Sequence, residues 1–213
     1  MNLIIIGAPG SGKGTQAEFI VRDFGVCHIS TGNMLREAIK KGTEEGKEAE
    51  KLISAGKFVS DEMIFNMLNK RVKESDCKNG FLLDGVPRNL AQIDYCEKLG
   101  IDAVIYIDVD FNAIIKRLTS RKTCRDCGGT FIDSDCKNGR CPKCGGLVYT
   151  RADDTKEVIE KRLDTYAKQT APVVDYYKNT DRFIKIDGNK PIDEVYAQIN
   201  VALNRVKEGK SKC

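Results

Sequence analysis

"GAPGSGKGT" (7–15) follows the apolar run "LIIIG" (3–7) and opens a segment with helical periodicity. It matches G-x-x-x-x-G-K-[ST] loosely: Gly7, four residues, Gly12 and Lys13, then Gly14 where the pattern has a hydroxyl, with Thr15 one place on. Glycines let successive backbone N–H groups turn inward onto phosphate oxygens, and a helix N-terminus adds about half a positive charge. Lys13 supplies a mobile full charge for β- and γ-phosphates, and Thr15 a hydroxyl for phosphate or Mg²⁺. Strand, loop and helix in this order predict a nucleotide-binding α/β protein, without deciding between hydrolysis, a switch and a kinase.

Further apolar runs recur along the chain: "CHIS" (27–30), "GFLLDG" (80–85), "AVIYIDV" (103–109) and "RFIKIDG" (182–188). They are too continuous to be half-exposed, so they predict central strands covered on both faces. Amphipathic segments at Gly14–Phe24, Asn89–Leu99, Phe111–Thr119, Val158–Lys168 and Pro191–Val206 lie between or after them. Strand alternating with helix predicts a parallel α/β sheet with right-handed crossovers. Two stretches break the rhythm. Thr31–Lys73 has helix-like segments with no strand between them, and Arg121–Tyr149 has turn-prone residues around two Cys-x-x-Cys pairs. The tail "KEGKSKC" is expected to fray.

Composition narrows the function. With 41% apolar and 31% charged residues and a net charge of +4, the 213-residue chain is an ordinary globular protein, short of a nucleic-acid-binding footprint. No apolar run is long enough to span a bilayer, and "MNLIIIGAPG" lacks a basic region ahead of its short apolar run, so no signal peptide is expected. The nine cysteines are therefore expected to stay reduced, with Cys27, Cys77 and Cys96 packed as small apolar residues. His28 is the one histidine and reads as a packed or rim residue. That excludes mechanisms needing a histidine pair or a His–Asp relay.

Cys124, Cys127, Cys141 and Cys144 have the spacing of a four-thiolate tetrahedral zinc site. With all four ligands from protein, such a metal is structural. Cys136 is a rival ligand but lacks a second pair member. Residues 121–151 hold seven basic residues and three aspartates, net +4; four thiolates and a divalent metal bring this to +2, still attractive to polyphosphate. Asp84 falls at a strand's C-terminal end, where α/β ligands bind, and Arg88 and Gln92 are spaced to share a helical face. Thr31, Arg36, Arg117, Arg121, Arg151 and Arg162 complete a set suited to anions, arginine being the residue for bidentate phosphate contact.

With "GAPGSGKGTQ", "ISTGNMLR", "GFLLDGVPR", "TCRDCG", "TRADD" and "KRLDTY", the chain resembles the adenylate kinases of the long-lid, zinc-containing type. The resemblance implies Mg²⁺-dependent phosphorylation of AMP by ATP to give two ADP in the cytoplasm, by a monomer without nucleic-acid or membrane partners. It implies a five-stranded parallel P-loop core (1–30, 74–120 and 152–213), an AMP-binding helical insert (31–73) and a zinc-binding lid (121–151). AMP would meet Thr31, Arg36, Lys57, Phe58, Val59, Gly85, Val86, Pro87, Arg88 and Gln92, with Arg151 and Arg162 from the lid side. ATP would lie along Gly10, Ser11, Gly12, Lys13, Gly14 and Thr15, and meet Arg117, Arg121, Thr130, Phe131 and the backbone near Lys190.

Asp84 would hold Mg²⁺ through water, while Lys13, Arg88, Arg121, Arg151 and Arg162 neutralise the transferred group. AMP's second ionisation lies near pH ~6, so its attacking oxygen is already anionic and no general base is needed. Asn33 and Val86 depart from the Asp and Phe usual in the family and are read as tuning. A UMP/CMP-type kinase shares the P-loop and the Asp-Gly-x-Pro-Arg element, but the long cysteine insert, Thr31 and Gln92 favour AMP. A ribbon-type nucleic-acid binder is disfavoured, since no aromatic residues interleave with the basic ones.

Overall fold

The computed structural model describes residues 1–55 and 57–210. Five strands, β1 (Leu3–Ile6), β2 (Cys27–Ser30), β3 (Phe81–Asp84), β4 (Ala103–Asp108) and, later in the chain, β8 (Phe183–Asp187), form a fully parallel sheet in the order β2-β3-β1-β4-β8. All four β1 residues are buried because the sheet is covered twice. Ile4 and Ile6 join Leu83, Val104, Leu35, Leu68 and Tyr177 on one face, while Leu3 and Ile5 pack with Ile20, Ile105, Ile199 and Leu203 on the other. The first face is roofed by α2 (Thr31–Lys41), α4 (Asp61–Arg71), α5 (Ile93–Glu97) and α8 (Ala171–Lys178), with α3 (Glu44–Ser54) packed on α2. The second face is covered by α1 (Lys13–Phe24) and α9 (Ile192–Lys210). Strand β1 lies between β3 and β4, so the order reverses there and opens a crevice at the carboxyl ends of the strands.

A second, antiparallel sheet in the order β6-β5-β7 carries the cysteines: β5 (Arg121–Cys124), β6 (Thr130–Ile132) and β7 (Val148–Tyr149). It is entered from α6 (Phe111–Thr119) and left toward α7 (Lys156–Thr165). Among the described residues, no helix is long and apolar enough to cross a membrane.

Some sequence expectations need correction. The Asn89–Leu99 helix shortens to a 3-10 turn at Leu90–Gln92 followed by α5, because Asn89 caps it by accepting the Gln92 N–H. Arg88 therefore precedes the helix and shares no helical face with Gln92. The Val158–Lys168 segment begins at Lys156, capped by Thr155, and widens into a π turn at Tyr166–Thr170 before α8. Helix α9 takes in residues 207–210 of the tail; residues 211–213 lie outside the described residues.

Cys27 and Cys77 are not free thiols: they form a disulfide, with Cα atoms 5.2 Å apart. The pairing follows from topology. The chain returns from α4 to begin β3 beside the start of β2, with Cys27 opposite Phe81, and this brings two residues 50 apart in sequence into bonding range. Both are buried as expected, and Cys96 is a buried free thiol.

Candidate active site

The phosphate loop is held open by left-handed backbone at Gly10 (φ 81°) and Gly12 (φ 98°), the latter capping α1. Lys13 turns back over it, with Nζ donating to Gly7 O at 2.7 Å and Ala8 O at 2.9 Å. Burial, then the charges of Arg88, Arg162 and Arg121, draw the Lys13 ammonium down to about 8, against the pull of Asp84. Ser11 Oγ is buried with no hydrogen-bond partner. A buried hydroxyl is rarely left so without a ligand to satisfy it, which fits a polyanion seated in the loop.

Around this loop the strand ends and the second sheet assemble cations. Arg36, Arg88, Arg151 and Arg162 are all depressed, first by burial and then by repulsion among themselves and Arg121; Arg88 falls to about 10 and Arg151 to about 9. Guanidinium groups keep their protons at neutral pH, so these depressions express a cluster short of anions rather than neutral arginines. Three carboxylates answer six cations. Asp84 is held below its usual range despite burial, by a hydrogen bond from His28 and the charge of Lys13. Asp153 is likewise lowered against burial, by Arg162, Arg121, Arg151 and Arg36. Asp154 accepts from Arg121 Nε at 2.8 Å and also from Arg121 Nη2, and from Arg162 Nη1 at 3.3 Å. Arg162 also pairs with Asp153 Oδ2 at 2.8 Å.

Arg151 donates to Thr123 Oγ1 at 2.8 Å and to Thr130 Oγ1 at 3.3 Å, so Thr130 is tied to an arginine of the cluster. Phe131 lies on β6 opposite Lys122. Arg117 donates to Gly188 O at 2.9 Å and Ser11 O at 3.4 Å, bridging the phosphate loop to the end of β8. Lys190, just beyond, is exposed.

Beside the phosphate loop, Thr31, Leu35, Ile53, Lys57, Phe58, Val59, Ile64, Gly85, Arg88 and Gln92 line a cleft. Arg88 borders it with Nε donating to Gly85 O at 2.7 Å and its plane over the Phe58 ring, 5.0 Å from the centroid. Arg36 is steadied by Asn33 Oδ1 at 2.7 Å. Val86 and Pro87 are both buried; Val86 packs into the hydrophobic core, and neither lines the cleft.

Cys124, Cys127, Cys141 and Cys144 place their sulfurs within 4.8 Å of one another, with Cys124–Cys144 at 3.5 Å and Cys127–Cys141 at 3.7 Å. A tetrahedral zinc with Zn–S near ~2.3 Å needs sulfurs about 3.8 Å apart, so the set fits one four-coordinate ion. The two Cys pairs turn alike: Gly128 and Gly145, both at positive φ, donate to Cys124 O and Cys141 O. At Gly146 a Cβ would lie 2.2 Å from Asp126 Oδ2 and 3.1 Å from Cys124 Sγ, so a side chain there would displace the Asp126 carboxylate and crowd the sulfur. Cys136 is buried but stands outside the cluster.

Sequence reasoning missed three residues at the site. His28, read from sequence only as a packed or rim residue, lies with Nε2 3.2 Å from Asp84 Oδ2: neighbouring parallel strands put Ser30 beside Asp84, and His28 reaches across from the same strand. Asp153 and Asp154 were visible in "TRADD" as an acidic pair beside a predicted anion-binding arginine, but not as the partners of Arg121 and Arg162.

A sequence model of the family described as adenylate kinase matches residues 5–182. The chain is 45% identical over 212 residues to the adenylate kinase of Bacillus licheniformis, covering 95% of this chain and 98% of the relative. It is 46% identical over 208 residues to that of Bacillus pumilus, covering 93% and 96%. With the adenylate kinase of Archaeoglobus fulgidus it shares 40% identity over 216 residues, covering 97% and 100%. A phosphate loop ringed by arginines, an adjoining cleft and this full-length similarity agree, and the chain belongs to the adenylate kinase family.

Proposed function

We propose that the enzyme transfers the γ-phosphoryl group of ATP reversibly to AMP, giving two ADP. The observation that carries this reading is the anion-deficient cluster of Lys13, Arg36, Arg88, Arg121, Arg151 and Arg162 between the phosphate loop and a second cleft. One polyanion is served by Gly10–Thr15, with Arg117, Arg121, Thr130, Phe131 and the backbone near Lys190 around it. The acceptor takes the cleft of Thr31, Lys57–Val59, Gly85, Arg88 and Gln92, with Arg36, Arg151 and Arg162 at its phosphate.

An AMP phosphate is ionised at neutral pH, so His28 and Asp84 are not required as bases. The arginines supply placement of two polyanions and neutralisation of spreading charge, which is most of what phosphoryl transfer asks of a protein. Asp84, kept ionised at the strand end, would hold a Mg²⁺ brought with ATP through water, and that ion would supply further neutralisation of phosphate charge. Zinc at the four cysteines is structural, stiffening a lid (121–151) hinged on a core of 1–30, 74–120 and 152–213, with 31–73 as the acceptor insert. We place the enzyme in the cytoplasm, as a monomer without nucleic-acid or membrane partners.

A coupled assay with ATP and AMP, CMP, UMP or GMP, run with metal analysis of the same sample, tests this. AMP is expected to turn over best, with about one zinc per chain. Preferred turnover of UMP or CMP overturns the reading.

A further inference from the structure

Gln92 is 3% exposed, borders the acceptor cleft, and has an amide engaged at both ends. Its Oε1 accepts the backbone N–H of Arg88 at 2.7 Å, and its Nε2 donates to Asp61 Oδ1 at 2.6 Å. Asp61 lies in the first turn of α4. Its carboxylate is itself fixed, accepting from Asn89 Nδ2 at 3.0 Å and 3.3 Å, while Asn89 Oδ1 accepts the Gln92 backbone N–H at 3.0 Å. The two partners of the amide are one-way groups: a backbone N–H only donates and a carboxylate only accepts. Turning the amide over would set donor against donor and acceptor against acceptor.

From this we infer that Asp61, acting through Gln92, is a specificity-determining positioning residue for the acceptor base. The locked amide has one lone pair on Oε1 and one N–H on Nε2 left over. A 6-aminopurine edge offers an amino donor beside a ring-nitrogen acceptor, whereas a 6-oxopurine edge offers an acceptor beside a ring N–H, in the opposite order. An amide of fixed orientation suits one of these and opposes the other. Resting on the activity proposed above, the favoured base is the 6-aminopurine of AMP, and IMP is the analogue the lock rejects.

The test compares AMP and IMP as acceptors, with ATP as donor, in the wild type, Asp61→Asn and Asp61→Ala. Asparagine keeps the shape of the side chain but can donate or accept, so the Nε2 end no longer opposes a turned amide and only the Arg88 N–H holds its orientation; alanine removes the partner. The AMP-to-IMP ratio of kcat/KM is expected to fall by about 10- to 100-fold, the weight of a hydrogen bond to a charged partner, mostly through a raised KM for AMP. The KM for ATP is expected to stay within about twofold, since the side-chain hydrogen bonds described for Asp61 go to Asn89 and Gln92, outside the phosphate loop. An unchanged ratio in both variants overturns the inference, even if melting temperature drops, because Asp61 is then only a structural tie. Equilibrium binding of AMP and IMP to the same proteins reads the lock without turnover. A wild type that does not phosphorylate AMP therefore defeats the proposed activity, while unchanged binding preference in the variants defeats this inference.

Discussion

Lys13 has two backbone carbonyls for partners and arginines for neighbours, and is drawn down to about 8. A bound polyphosphate favours the protonated ammonium, so nucleotide raises that value on binding. Below about pH 8 the lysine is already charged and affinity is flat; above it, binding must also take up a proton. The KM for ATP is accordingly expected to rise about tenfold per pH unit between roughly pH 8.5 and 10, measured with AMP saturating. A flat profile through pH 10 would place the ammonium in an unperturbed setting. At this scale Lys13 and the arginines could be named from spacing, because their motifs are local. His28 and Asp61 could not, because their roles depend on which strand and which turn stand opposite them.

At the scale of elements, the two inserts differ in what holds them. The helical stretch buries Leu35, Ala49, Met63 and Leu68 in the main core, so apolar packing is enough. Among the described residues the cysteine sheet has no comparable cluster: β5, β6 and β7 bury mainly Thr123 and Cys124. A sheet of this size without a core depends on its cross-link. Replacing Cys141 by serine is expected to abolish zinc binding and lower the melting temperature by about 6–12 °C, with measurable turnover surviving at low temperature. Total loss of turnover in a folded variant would mean that the metal takes part in the chemistry. The parallel strands were legible because they are short, continuous apolar runs. Helix α8 was not, since it follows a π turn whose widened backbone breaks the helical period.

For the whole molecule, the strand order was not legible in the sequence, and it sets β2 and β8 at the partly exposed edges rather than among the central strands expected. A parallel sheet covered on both faces could be expected from the apolar runs. The Cys27–Cys77 bond could not, because 50 residues and three helices separate the partners and only the finished topology joins them. Closing a loop of that length removes chain entropy from the unfolded state worth about 4 kcal/mol. Opening the bond with a reductant, or substituting Ser at Cys77, is expected to cost about that much in urea unfolding. Equal midpoints with and without reductant would show the bond to be energetically idle.

The same bond has a consequence for chain connectivity. Because Cys27 and Cys77 clamp the two ends of everything between them, residues 27–77 form a covalent ring. A protease that cuts once anywhere between residues 28 and 76 opens the ring without parting the molecule. Such a nicked enzyme should migrate at full length on a non-reducing gel and split into two fragments once thiol is added.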